Sequence, residues 1–216
     1  HYIPDIDSFR STIQSGITAA NSGYIVTFGV QPSFPSTAYG YIEKGTASKG
    51  GFQVARFVEK PAQDKALELL ASGRYLWNAG IFLMRAQDLL AALDKHAADI
   101  VKVCQKAMDQ PIRDGLFIRP DAKLFASCRS QSIDYAVMEK APRVAVVPVS
   151  MGWSDLGSWD ALHELSAGDE AGNCLKGDVV AIETENCLVQ ADGVRIALDR
   201  KSTRLNSSHT DISRMP

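Results

Sequence analysis

The run Tyr24-Ile25-Val26-Thr27-Phe28-Gly29-Val30 is almost continuously apolar. A strand with one wet face alternates apolar and polar residues, so a run of this kind belongs to a strand covered on both faces. That requires layers, and the flanking sequence offers them. Asp5 and Ser8 are N-cap candidates for a helix carrying Phe9, Ile13 and Ile17 on one face, stopped by Asn21-Ser22-Gly23. After a Pro-marked loop over 31–36, Tyr39-Gly40-Tyr41-Ile42 reads as a strand, 46–51 as a turn and 53–58 as a strand. Pro61 suits the first position of a helix over 62–72, because its missing N–H has no partner to lose there. A strand over 76–84, helices over 86–93 and 100–108, and a weakly patterned stretch over 111–131 with a short helix around 122–128 come next. A helix capped by Ser132, a valine-rich strand over 143–149, a loop over 151–157 and a helix capped by Ser158 complete the series. The alternation predicts an α/β domain with a mostly parallel or mixed sheet and flanking helices over 1–166.

From Gly177 the texture changes to short strands alone, over 178–182, 186–190 and 194–198, separated by turn residues. Residues 167–198 therefore read as the start of a small β appendage. From Asp199 the chain is polar, rich in Ser and Arg and without periodicity, and it resembles the translation of a sequencing-library adapter. The expectation for 199–216 is non-native read-through. The chain opens on His1 without a methionine, so it is expected to begin inside a longer product.

A net charge of −2 leaves no electrostatic footprint for nucleic acid or an anionic membrane, and no apolar run approaches spanning length. Cys104, Cys128, Cys174 and Cys187 form no C-x-x-C pair, which fits a reducing, cytoplasmic setting rather than a zinc site or a disulfide framework.

Four stretches place polar groups at or beyond strand ends, where α/β sheets bind ligands. The first is Phe57-Val58-Glu59-Lys60-Pro61. A cation beside the positive end of a helix can hold a phosphate, and Glu59 can accept from hydroxyls of the same ligand; the alternative is a surface Glu–Lys pair. Gly40 permits close approach of a ligand, or marks a bulge. Asn78, inside an apolar strand with Gly80 two residues on, bonds either backbone or the hydroxyls of a sugar. Asp155 lies in the loop Trp153-Ser154-Asp155-Leu156-Gly157-Ser158-Trp159. It can serve Mg²⁺, which takes one or two carboxylates with phosphate oxygens and water, or it can cap a turn. Trp153 and Trp159 read as lids on the core.

Taken together with Tyr75-Leu76-Trp77-Asn78-Ala79-Gly80-Ile81-Phe82 and Ser132-Ile133-Asp134-Tyr135-Ala136-Val137-Met138-Glu139-Lys140, these stretches resemble the sugar-nucleotidyltransferase family, and within it the bacterial mannose-1-phosphate guanylyltransferases, often fused to a phosphomannose isomerase domain. The resemblance implies a Rossmann-like nucleotidyltransferase fold and transfer of a guanylyl group from GTP to mannose 1-phosphate. It implies that Gly40, Glu59, Asn78 and Gly80 contact the sugar, Lys60 its phosphate, and Asp155 the catalytic Mg²⁺. It also implies that the family's glycine-rich nucleotide loop and a second metal aspartate lie ahead of His1, so that the chain alone has little activity and an exposed sheet edge, with self-association into a homo-oligomer as one consequence. A related transferase for another sugar 1-phosphate, or a non-catalytic sugar-phosphate-binding module, are the competing readings.

Overall fold

A computed structural model describes residues 1–199. They divide into two compact units, residues 2–153 and the residues from Ser154 onward, with His1 grouped with the latter.

The first unit is built on the buried run. Strand β1 (Ile25–Val30) is buried through Gly29 and lies between two neighbours. It pairs in parallel with β7 (Val144–Val149) and antiparallel with β4 (Tyr75–Leu83). Strands β2 (Tyr41–Ser48) and β3 (Gly51–Val58) form a hairpin; β2 continues the sheet from β4, and Phe52 and Gln53 of β3 pair with β7. The order β1-β4-β2-β3-β7 thus closes on itself as a mixed-sheet barrel. Of β7, Ala145 and Val146 are paired on both sides, whereas Val147, Pro148 and Val149 have a ladder partner on the β1 side only among the described residues.

Helices cover this sheet. Helix α1 (Ile6–Asn21) is capped by Asp5, whose carboxylate accepts from Ser8 N at 2.9 Å, while the Ser8 hydroxyl donates to Ser150 O. Its Ala19 and Ala20 pack with Val26, Phe28 and Val147. Helix α2 (Gln63–Ser72) lays Ala66 and Leu69 on Tyr41 and Trp77. Leu89 and Leu93 of α3 (Ala86–His96) and Ile100 of α4 (Ala98–Met108) pack against Ile25, Ile42, Leu76 and Val146. The exposed strands β5 (Ile112–Asp114) and β6 (Phe117–Arg119) form a hairpin, and α5 (Ala122–Ala126) follows. The segment after Ser132 is a π-helical turn, Asp134–Met138.

Three expectations are corrected. The turn expected over 46–51 is only Lys49-Gly50: Thr46, Ala47 and Ser48 continue β2 because β3 supplies ladder partners, whatever their hydrophobicity. The strand expected from Tyr39 begins at Tyr41. Pro61 is not the first helical residue: Ala62 is the N-cap and Gln63 starts α2.

In the second unit α6 (Trp159–Leu165) is capped by Ser158, whose hydroxyl accepts from Ala161 N at 3.1 Å. Four short strands follow: β8 (Cys174–Lys176), β9 (Val179–Ile182), β10 (Leu188–Gln190) and β11 (Ile196–Asp199). They pair in parallel, β8 with β10 and β9 with β11. A parallel pair needs a long crossover, and here β9 and its turns provide it in place of a helix. The result is two stacked coils. Buried Asn173 ties them, donating to Thr184 O and accepting from Cys187 N. Asp199 ends β11; the rest of the tail expected to be read-through lies outside the described residues.

Candidate functional site

Glu59 and Lys60 follow directly on β3, where the chain leaves the sheet for α2. Lys60 takes φ +40°, a left-handed backbone that costs a side-chain-bearing residue about 1–2 kcal/mol. The corner directs the two side chains into different surroundings. That of Glu59 is 10% exposed and that of Lys60 62%, with Nζ 3.8 Å from Glu59 Oε1. A long contact to a largely exposed ammonium leaves Lys60 a movable charge rather than half of a fixed pair.

Gly40 precedes β2 and is buried. A Cβ there would stand 2.6 Å from Glu59 Oε2 and 3.4 Å from Asn78 Cβ, so Gly40 lies close against both side chains. Its carbonyl accepts from Asn78 N at 2.8 Å. Asn78 sits where β4 bulges: Ala79, Gly80 and Ile81 stand opposite Phe28 alone between the Gly29–Asn78 and Thr27–Phe82 pairs. Gly80 meets the bulge's demand with φ +65°; a Cβ on it would meet nothing within 4 Å. Asn78 Oδ1 accepts from the buried Thr27 hydroxyl at 2.8 Å and from Gly80 N at 3.2 Å, and Nδ2 donates to Asp134 Oδ1 at 3.1 Å. Residues from three separate stretches, Gly40, Glu59-Lys60 and Asn78, therefore meet in one place.

Two carboxylates that the sequence reading left without a role act on the same place. Burial first, then Asp134, and more weakly Glu139, push the Glu59 carboxyl above its usual range, against the opposing pull of Lys60. The folded protein holds that proton at pH values where the unfolded chain has lost it. Stability is therefore fullest below the ordinary glutamate value and falls as pH rises through the raised one. Glu59→Gln is expected to raise the Tm at pH 7, with the gain shrinking below pH 4.5; thermal melts across pH check this. A carboxylate kept where it costs stability is a candidate for function.

Asp155 belongs to the second unit. Its Oδ1 accepts from Gly157 N at 3.0 Å, so it makes the turn-capping bond that the sequence left as an alternative; Ser158 caps the helix. Among the described residues no group of three or more His, Cys, Asp or Glu side chains could hold a metal ion. A single loop carboxylate fits a hard cation that arrives with phosphate oxygens and water, not one caged by protein. Trp153 meets Tyr39 with ring centroids 5.4 Å apart, and Tyr39 meets Trp77 at 5.0 Å. Trp159 is 79% exposed, which overturns its reading as a core lid.

The nucleotidyl transferase family model matches residues 1–172. The chain belongs to the nucleotidyl transferase family. Over 197 residues the chain is 45% identical to the mannose-1-phosphate guanylyltransferase of Escherichia coli (strain K12), covering 89% of this chain and 41% of that protein. It is 42% identical to the alginate biosynthesis protein AlgA of Pseudomonas aeruginosa, covering 92% of this chain and 42% of that protein. A crystal structure described as mannose-1-phosphate geranyltransferase from Thermus thermophilus matches with a TM-score of 0.75 at 32% identity, covering 92% of this chain and 56% of that one. The chain thus spans about two fifths of the length of the curated relatives it matches. None of its described helices is long and apolar enough to cross a membrane.

Proposed function

We propose that this transferase binds mannose 1-phosphate and moves a guanylyl group onto it from GTP, giving GDP-mannose and pyrophosphate. The meeting of Gly40, Glu59, Lys60 and Asn78 carries the sugar-phosphate half of that reading. Mannose 1-phosphate and the guanylyl group are taken from the name of a relative 45% identical to the chain; GTP is the donor that such a transfer with release of pyrophosphate requires. In the reaction an oxygen of the sugar phosphate forms a bond to the α-phosphorus of GTP, the bond from that phosphorus to the β-phosphate bridge oxygen breaks, and pyrophosphate leaves. No covalent enzyme intermediate is needed, so the protein's contribution is alignment and charge neutralisation.

Glu59 accepts hydrogen bonds from sugar hydroxyls, and Asn78 donates to a ring substituent through Nδ2. The close backbone at Gly40 lets the sugar lie against the sheet, and the Gly80 bulge keeps Asn78 turned towards it. Lys60 neutralises the sugar's phosphate. Asp155 is the residue that would hold Mg²⁺, and the ion would supply positive charge to offset the repulsion between phosphate groups. With Cys104, Cys128, Cys174 and Cys187 scattered and forming no C-x-x-C pair, the cytoplasm is the compartment we assign.

Lys60→Ala tests the phosphate assignment. Calorimetric titration with mannose 1-phosphate is expected to show affinity weakened more than tenfold, as a lost charged contact is worth about 1.5–3 kcal/mol. Unchanged affinity removes Lys60 from the site. For Asp155→Asn in the complete gene product, turnover falls and the Mg²⁺ concentration for half-maximal rate rises; normal metal dependence in a pyrophosphate-release assay refutes that role.

A further inference from the structure

Asn78 is the side chain of this site whose direction decides what a ligand meets: one face of a carboxamide accepts and the other donates. The Thr27 hydroxyl, 2.8 Å from Oδ1, can donate or accept and so does not distinguish the two. Gly80 N–H only donates, and it lies 3.2 Å from Oδ1. An ionised Asp134 only accepts, and its Oδ1 lies 3.1 Å from Nδ2. Between them, Gly80 and Asp134 set the amide one way round. One Nδ2 hydrogen goes to Asp134; the other has no protein partner among the described residues.

Asp134 is well placed to hold that direction. It opens the π-helical turn Asp134–Met138, whose Ala136, Val137 and Met138 are buried, so its backbone is anchored in the core. Wide turns of this kind recur at functional sites. The charged groups bearing on Glu59 are Asp134 and Glu139 from this turn and Lys60 from its own corner; the neighbour from β4, Asn78, is neutral. One carboxylate thus touches one of the sugar-contacting residues proposed above and acts on the charge of the other.

We infer that Asp134 is a positioning residue of the sugar site: it directs the Asn78 carboxamide so that the remaining Nδ2 hydrogen is presented to an oxygen of the bound sugar phosphate. The inference rests on the proposed function for the identity of the ligand, but its hold on Asn78 and Glu59 is testable without one.

Two variants separate the parts. Asp134→Asn keeps an acceptor oxygen and loses the charge; Asp134→Ala loses both. In ligand-free protein, ¹³C NMR titration is expected to show a lower Glu59 midpoint in both variants. The Asn78 side-chain NH₂ signals should move in Asp134→Ala and stay near wild type in Asp134→Asn. Calorimetry with mannose 1-phosphate should then show at least a tenfold loss of affinity in Asp134→Ala, largely recovered in Asp134→Asn. A purely structural Asp134 would lower the Tm and leave the Glu59 midpoint and the Asn78 signals where they were, and that result overturns the inference. So does unchanged affinity in Asp134→Ala. If Asp134→Ala does not fold, Asp134→Ser takes its place, with the Asn78 signals and the mannose 1-phosphate affinity expected to move in the same way. If wild-type protein takes up no mannose 1-phosphate while the Glu59 and Asn78 signals respond as described, the proposed substrate fails and Asp134's hold on Asn78 stands.

Discussion

Asn78→Ala is expected to lower folding stability by about 2–4 kcal/mol and to weaken mannose 1-phosphate binding more than tenfold. The stability loss follows from what the amide leaves behind. Thr27 is fully buried, and without Asn78 its hydroxyl keeps only a marginal 3.5 Å approach to Ile81 O. Gly80 N–H loses its acceptor as well, and Asp134 loses a donor. Each buried polar group stripped of its partner costs about 1–3 kcal/mol, so the predicted total takes little more than one such loss to reach. The binding loss has a separate origin, the missing donor to the sugar. Denaturant melts and calorimetry on the same preparation distinguish the two. A variant that melts like wild type would show that the Thr27–Asn78–Asp134 chain contributes nothing to the fold.

Gly40→Ala acts in the opposite way, by adding atoms. The new Cβ would lie 2.6 Å from Glu59 Oε2 and 3.3 Å from Phe57 Cζ. The carboxylate is the end of a flexible side chain and the phenyl ring is not, so Glu59 gives way. Its oxygens then leave the position from which they would accept from sugar hydroxyls, and affinity for mannose 1-phosphate is expected to fall about ten- to a hundredfold, the worth of one charge-assisted contact at 1.5–3 kcal/mol. The melting temperature should change far less than for Asn78→Ala. Sugar affinity that survives this substitution would mean that Glu59 does not hold the sugar.

What was legible in the sequence was whatever local chemistry specifies. The continuous apolar run marked β1, and side-chain caps marked α1 and α6, because burial and capping are written into short stretches. The Glu59–Lys60 corner was legible as a place, but its geometry was not. Lys60 takes a left-handed backbone and α2 starts only at Gln63, and no propensity signals such a residue. The polar end of β2 was hidden because its partner β3, not its composition, makes it a strand. The parallel pairing of β8 with β10 could not be read from the sequence, in which only the three runs after Gly177 stood out and the three-residue β8 did not. Asp134 escaped notice for the same kind of reason. Its contact with Asn78 spans 56 positions, and an acid at the start of a helical pattern ordinarily reads as a cap.

The most direct test is a crystal structure of the protein with mannose 1-phosphate. The sugar hydroxyls should lie within hydrogen-bonding distance of the Glu59 carboxylate and Asn78 Nδ2, against the backbone of Gly40, with the phosphate beside Lys60 Nζ. Sugar phosphate bound elsewhere, with these four residues facing only solvent, would contradict it.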